Sequence, residues 1–115
     1  MRTLNDYFIV GKIHNISTAG SSFVVAPDSG KIIKIYTTIK NAITSANAGL
    51  SFELGGTAIT DGGITIAHSG SAAGDIDTCE PTAANNVSEG DFIAIATDGA
   101  STNTHTAHFT IVIRR

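Results

Sequence analysis

The chain's 115 residues predict an all-β fold: an antiparallel β-sandwich, jelly-roll-like, of about seven to eight strands. Three observations carry that expectation. Short runs rich in β-branched and aromatic residues recur along the whole chain. Clusters of Gly, Asp, Pro and Ser separate those runs as turns. No window holds the 3.6-residue apolar period of an amphipathic helix over three turns.

The elements follow in order. Tyr7–His14 (YFIVGKIH) and Ser22–Ala26 (SFVVA) read as strands, and Pro27-Asp28-Ser29-Gly30 as the turn into a third, Lys31–Ile39 (KIIKIYTTI). Ile39–Ala48 (IKNAITSANA) is the best helical candidate, but Thr44, Ser45 and Asn47 are weak helix formers, which allows one turn at most. Leu50–Leu54 (LSFEL), Gly55-Gly56 and TAIT spell a hairpin, because paired glycines supply the positive φ angles of a tight primed turn. Asp61-Gly62-Gly63 is then expected to reverse the chain into Ile64–Ala67, completing a meander of three short strands. Ala67–Asn86 reads as a long loop with a short extended piece around Ile76. In the closing strand, Thr104–Arg114, Phe109, Ile111 and Ile113 share one face, and His108, Thr110, Val112 and Arg114 the other.

The segment Gly90–Ala100 (GDFIAIATDGA) departs from simple alternation. Ile93, Ile95 and Thr97 point one way and Phe92, Ala94 and Ala96 the other, so both faces are apolar. Such a strand expects something dry on each side. A second sheet of the same chain over Phe92, Ala94 and Ala96 explains the pattern as well as a second copy of the protein does.

Composition bounds the function. The length fits one domain, residues 1–115, with residues 1–6 expected as an N-terminal arm. A single cysteine, Cys79, excludes an internal disulfide framework. No apolar run approaches the ~20 residues of a membrane span, and MRTLNDYFIVG lacks a signal-peptide pattern. These features predict no membrane partner and synthesis in a cytoplasm. The net charge of −3 and the lack of a Lys/Arg cluster beyond Arg114-Arg115 argue against nucleic acid. Charged residues make up 15% of the chain, against about 25% in typical soluble domains. That neutral surface favours protein–protein contact, and with the apolar faces of Phe92–Ala96 it predicts a homotrimer.

Little in the sequence points to chemistry. His105 and His108 stand at i, i+3, which puts them on opposite faces of a strand, and His14 and His68 stand alone. Asp75, Asp77 and Glu80 lack the Asp/Asn/Gly alternation of calcium loops. Gly70-Ser71 is a polar turn, not a nucleophile elbow, and Cys79 beside Glu80 is expected to have a raised pKa. No phosphate loop or dinucleotide fingerprint occurs. The expectation is a non-enzyme with no cofactor, metal or catalytic residues. With no Trp and two Tyr, the platform for a sugar ring is thin.

Three blocks carry a resemblance. One runs from Phe8-Ile9-Val10-Gly11-Lys12-Ile13 through Ile16-Ser17-Thr18-Ala19 to Pro27 and Gly30-Lys31-Ile32. A second runs from Asn41 to Ala48 and into Phe52-Glu53-Leu54-Gly55-Gly56-Thr57-Ala58-Ile59-Thr60. The third joins Ser69–Asp75, Pro81–Val87, Glu89-Gly90-Asp91 and Asp98-Gly99. Together they resemble the small capsid decoration (cement) and virion structural proteins of tailed phages. The resemblance implies a trimerising β-sandwich on the outside of an icosahedral capsid, at or near three-fold positions, with the major capsid protein as partner. The expected function is to stabilise the assembled shell by bridging its subunits. Phe92, Ala94 and Ala96 are the expected oligomer interface, and Arg2, Arg114 and Arg115 the expected docking residues. The alternative is a trimeric carbohydrate-binding or adhesin-type knob on a virion surface or tail fibre.

Overall fold

The computed structural model describes residues 6–115, which form nine strands in chain order. These are β1 (Asp6–Ile13), β2 (Gly20–Val25), β3 (Gly30–Ile39), β4 (Ala48–Leu54), β5 (Thr57–Ile66), β6 (Ile76–Cys79), β7 (Asn86–Val87), β8 (Phe92–Thr97) and β9 (Ala107–Arg114). One sheet has the order β1-β9-β3-β6, with β7 also pairing with β3; the other has the order β2-β8-β4-β5. All the pairings are antiparallel. Successive strands cross repeatedly between the sheets, which is the jelly-roll arrangement of two interleaved Greek keys. The expected fold class is observed.

The period-two pattern places the core between the sheets. Ile9, Ile111 and Ile35 lie side by side on the inner face of one sheet, and Phe52 and Ile95 are neighbours on the inner face of the other. All five are buried. Phe52 meets Phe109 across the core edge-to-face, ring centroids 6.1 Å apart, a favoured aromatic geometry. Gly11 makes room for that ring: a Cβ there would lie 2.6 Å from Phe109 Cζ.

Several expectations need correction. Asp6 is not part of a free arm; it begins β1 and sits opposite Arg114, while the rest of the expected arm lies outside the described residues. Residues 40–47 contain no helical turn, within the limit of one turn that the sequence set; Ser45 takes a φ of 72°, which interrupts any helix. Gly55 (φ 59°) and Gly56 (φ 89°) form the expected tight turn, with Leu54 opposite Thr57. Asp61-Gly62-Gly63, however, does not reverse the chain. The pairing steps from Glu53↔Ala58 to Ser51↔Gly63, so extra β5 residues bulge out while the strand continues to Ile66. The meander of three short strands is therefore a two-stranded hairpin whose second strand is bulged. Asp61 sits there at a φ of 59° and accepts a hydrogen bond from Thr82 Oγ1 at 2.5 Å.

The long segment after β5 is stitched down at fixed points. Its extended piece around Ile76 is β6, paired with β3. Asn85 is buried and donates through Nδ2 to the Ile32 carbonyl at 2.7 Å, while the Ile32 amide donates to the Asn85 carbonyl at 2.9 Å. A buried amide is tolerated only when it is satisfied in this way.

Candidate functional site

The outer faces of the two sheets carry the exposed large apolar side chains. On β8, Ile93, Ile95 and Thr97 face the core, leaving Phe92, Ala94 and Ala96 on the outside of the β2-β8-β4-β5 sheet. Among the described residues no second layer covers that face, so the pattern is not explained by a second sheet of residues 6–115. Phe92 is 44% exposed; Ala94 is 8% exposed, screened by Phe23 and Glu53, which stand opposite it on the neighbouring strands.

Register builds an apolar ridge at one edge of this face. Val25 lies opposite Phe92, and Phe23 opposite Ala94. Phe23 and Val25 are 65% and 63% exposed, and the Phe23 and Phe92 rings meet edge-to-face at 5.9 Å. The sequence pointed to Phe92 but not to Phe23 and Val25. Residues 23–26 are all apolar, so nothing in SFVVA says which side chains face in; strand pairing decides it.

Beyond the ridge the same face becomes a hollow. Ser51, Gly63, Thr65 and Ala96 leave a shallow, open depression of about 450 Å³. Asp98 stands on its rim, its Oδ1 accepting from the amides of Gly49 (3.1 Å) and Ala100 (2.9 Å).

The outer face of the other sheet differs in charge. Phe8 and Val10, 47% and 69% exposed, lie along β1 opposite Val112 and Thr110 of β9. Lys12, Lys31, Lys34, His108 and Arg114 share this face. Lys34 Nζ stands 5.2 Å from the Tyr36 ring centroid and 3.6 Å from Glu80.

Of the expected docking residues, Arg2 lies outside the described residues. Arg114 donates to both Asp6 carboxylate oxygens, at 2.9 and 3.2 Å, and that hydrogen bond and charge raise its pKa further. Arg115 pairs with Asp28 at 2.8 Å and stands 5.0 Å from the Tyr7 ring centroid. The Tyr7 hydroxyl donates to the Asp28 carbonyl; burial, then the Asp28 charge, push its pKa up. The C-terminal arginines thus clamp β1, β9 and the β2–β3 turn together, with nearly half of each side chain still exposed.

The remaining candidates are not brought together. Among the described residues, no three His, Cys, Asp or Glu side chains gather as a metal site. His105 precedes β9 and His108 is on it, facing solvent. The His68 ring lies 2.7 Å from Asn47 Oδ1. Asp75 accepts from the Ala72 amide at 2.8 Å. Burial, then the Asp75 charge, raise the pKa of Asp77. Burial and then Asp61 push the Cys79 thiol up to about 11. The sequence pointed to that direction, but through Glu80, whereas desolvation is the main cause.

No protein-family profile and no curated protein matches the chain. Solved structures do share its fold. A chain in the acidic stable capsid structure of Helicobacter pylori bacteriophage KHP30 aligns with a TM-score of 0.64 at 10% identity, covering 96% of this chain and 87% of that one. A chain of the cyanophage Pam1 capsid asymmetric unit aligns at 0.56 and 14% identity, covering 96% and 84%. CsCBM6-3 from Clostridium stercorarium, solved in complex with cellobiose, aligns at 0.53 and 13% identity, covering 98% and 83%. At these identities, the likeness is one of fold: a jelly roll that two phage capsids and a cellobiose-bound protein also use.

Proposed function

We propose that this chain is a non-enzymatic virion protein that decorates the capsid of a tailed phage and stabilises the assembled shell by bridging major capsid subunits. The observation that carries this reading is the agreement, over nearly the whole of both chains, with jelly rolls in two phage capsids. The surface supports it: both outer faces present exposed apolar side chains. The mechanism is passive. A protein that binds the assembled shell but not its free subunits stabilises assembly by mass action. On this reading the protein is made in the host cytoplasm, acts on the capsid exterior and works as a homotrimer, with Phe92, Ala94 and Ala96 in the contact between copies. The exposed parts of Arg114 and Arg115, with Arg2, reach the shell.

Co-sedimentation with undecorated shells tests the reading, with a glycan array alongside. The expected result is saturable pelleting with shells and no retention on glycans. Failure to pellet together with specific glycan retention would replace it with the carbohydrate-binding alternative. The docking role of the terminal arginines is checked by comparing the wild type with Arg114→Ala/Arg115→Ala. Occupancy of the variant should fall at low salt and converge with the wild type as salt screens exposed charges. Equal occupancy throughout would remove the arginines from the docking surface.

A further inference from the structure

The two outer faces are unlike, and their differences are complementary. Of the six described Lys and Arg residues, Lys12, Lys31, Lys34 and Arg114 lie on β1, β3 and β9, and Lys40 and Arg115 directly follow β3 and β9. The strands of the β2-β8-β4-β5 sheet hold no Lys or Arg; they carry Glu53 and Asp61, with Asp91 and Asp98 at the two ends of β8. Lys12 and Lys31 have no ion-pair partner among the described residues. Glu80, Asp6 and Asp28 pair with Lys34, Arg114 and Arg115, so the uncompensated charges on the first outer face are Lys12 and Lys31, while Glu53 stands on the second outer face with Asp98 at the rim of its hollow. The first face is therefore net basic and the second acidic.

Each face also has its own apolar strip: Phe8 and Val10 on the first, Phe23, Val25 and Phe92 on the second. The exposed part of the second strip amounts to roughly 300 Å², the size of a typical monomer's largest apolar patch. The molecule measures 39 × 31 × 20 Å, so a broad face offers roughly 1,200 Å², more than the ~800 Å² per partner of a standard interface.

We infer that copies of this chain associate head-to-tail, the part of the basic outer face around Val10 and Lys12 in one copy resting on the acidic outer face of the next. A two-fold contact uses the same patch on both copies, whereas a head-to-tail contact joins two different patches. Two unlike faces of opposite charge suit the second arrangement. The partner is a second copy because this molecule itself presents the matching surface: Val10 and Lys12 project from one face, and an apolar ridge, a shallow hollow and Glu53 receive them on the other. This inference rests on the self-association proposed above but not on the capsid as partner.

The test uses two surface variants of the full chain, each checked for native circular dichroism and thermal unfolding. Val10→Glu/Lys12→Glu damages the basic face, and Phe23→Glu/Val25→Glu damages the other. Light scattering should show a wild-type oligomer that persists to lower concentration in low salt than in high salt, because salt screens the attraction between oppositely charged faces. Each variant alone should be monomeric, near 11.8 kDa. Mixed in equal amounts, they should form a dimer and nothing larger, since one intact face of each kind remains to make a single junction. A wild-type oligomer left unchanged by either variant, or a mixture that stays monomeric, would overturn head-to-tail contact while leaving self-association standing. A wild type that is monomeric at every concentration would overturn both.

Discussion

Asp77 shows how burial and charge act on one side chain. Desolvation and the neighbouring Asp75 raise its pKa, so the folded state favours the protonated form. Ionised at neutral pH, Asp77 opposes folding, and that penalty disappears as pH falls below the ordinary carboxylate range near 4. Asp77→Asn should therefore raise the melting temperature at pH 7, with the gain shrinking toward pH 3; a gain independent of pH would refute the electrostatic cause. Cys79 follows the same physics. Moving its thiol from 9.0 to about 11 lowers the thiolate fraction at pH 8 about 100-fold, and the thiolate is the reactive form. Iodoacetamide should label the native protein about 100-fold more slowly than the urea-unfolded one. In the core, Phe52 is fully buried against Phe109. Phe52→Ala should cost about 3–5 kcal/mol in urea unfolding.

Turn glycines separate two kinds of conformational demand. Gly56 sits at a φ of 89° with open space where a Cβ would be, so Gly56→Ala meets backbone strain alone. The expected cost is about 1–2 kcal/mol, that of a left-handed residue. Gly99, at a φ of 69°, would place a Cβ 2.5 Å from the backbone nitrogen of Ala19. Gly99→Ala adds a steric clash to the strain and should be the more destabilising change; the reverse order in urea unfolding would contradict the geometry. The hairpin around Gly55-Gly56 was legible because a tight turn depends on its own two residues. The Asp61-Gly62-Gly63 bulge was not. The same triplet permits a reversal or a bulge, and the choice is made by pairing with β4 and by the contacts of Thr60 and Asp61 with Ala83 and Thr82, more than 20 residues away.

For the molecule as a whole, β1 pairs with β9 along its full length, joining the two ends of the described chain. Closing so long a loop before any contact compensates for it slows folding. Refolding should be in the millisecond-to-second range by stopped flow; microsecond refolding would show that the end strands are not part of the barrier. The same pairing makes Arg114 and Arg115 part of a clamp, so their double alanine variant should lose a small, salt-sensitive amount of stability beside any loss of docking.

The fold class, most strands, the inward face of β9 and the Gly55-Gly56 turn were determined by the sequence alone. They depend on side-chain period and on local backbone preference, which are written residue by residue. Which faces remain open, which exposed residues become neighbours and which charges are paired was decided by the tertiary structure. Phe23 and Phe92 are 69 positions apart, and Asp6 and Arg114 are 108 apart. Only strand register and sheet order, which arise from the packing of all nine strands at once, set the apolar ridge, the acidic and basic faces and the arginine clamp.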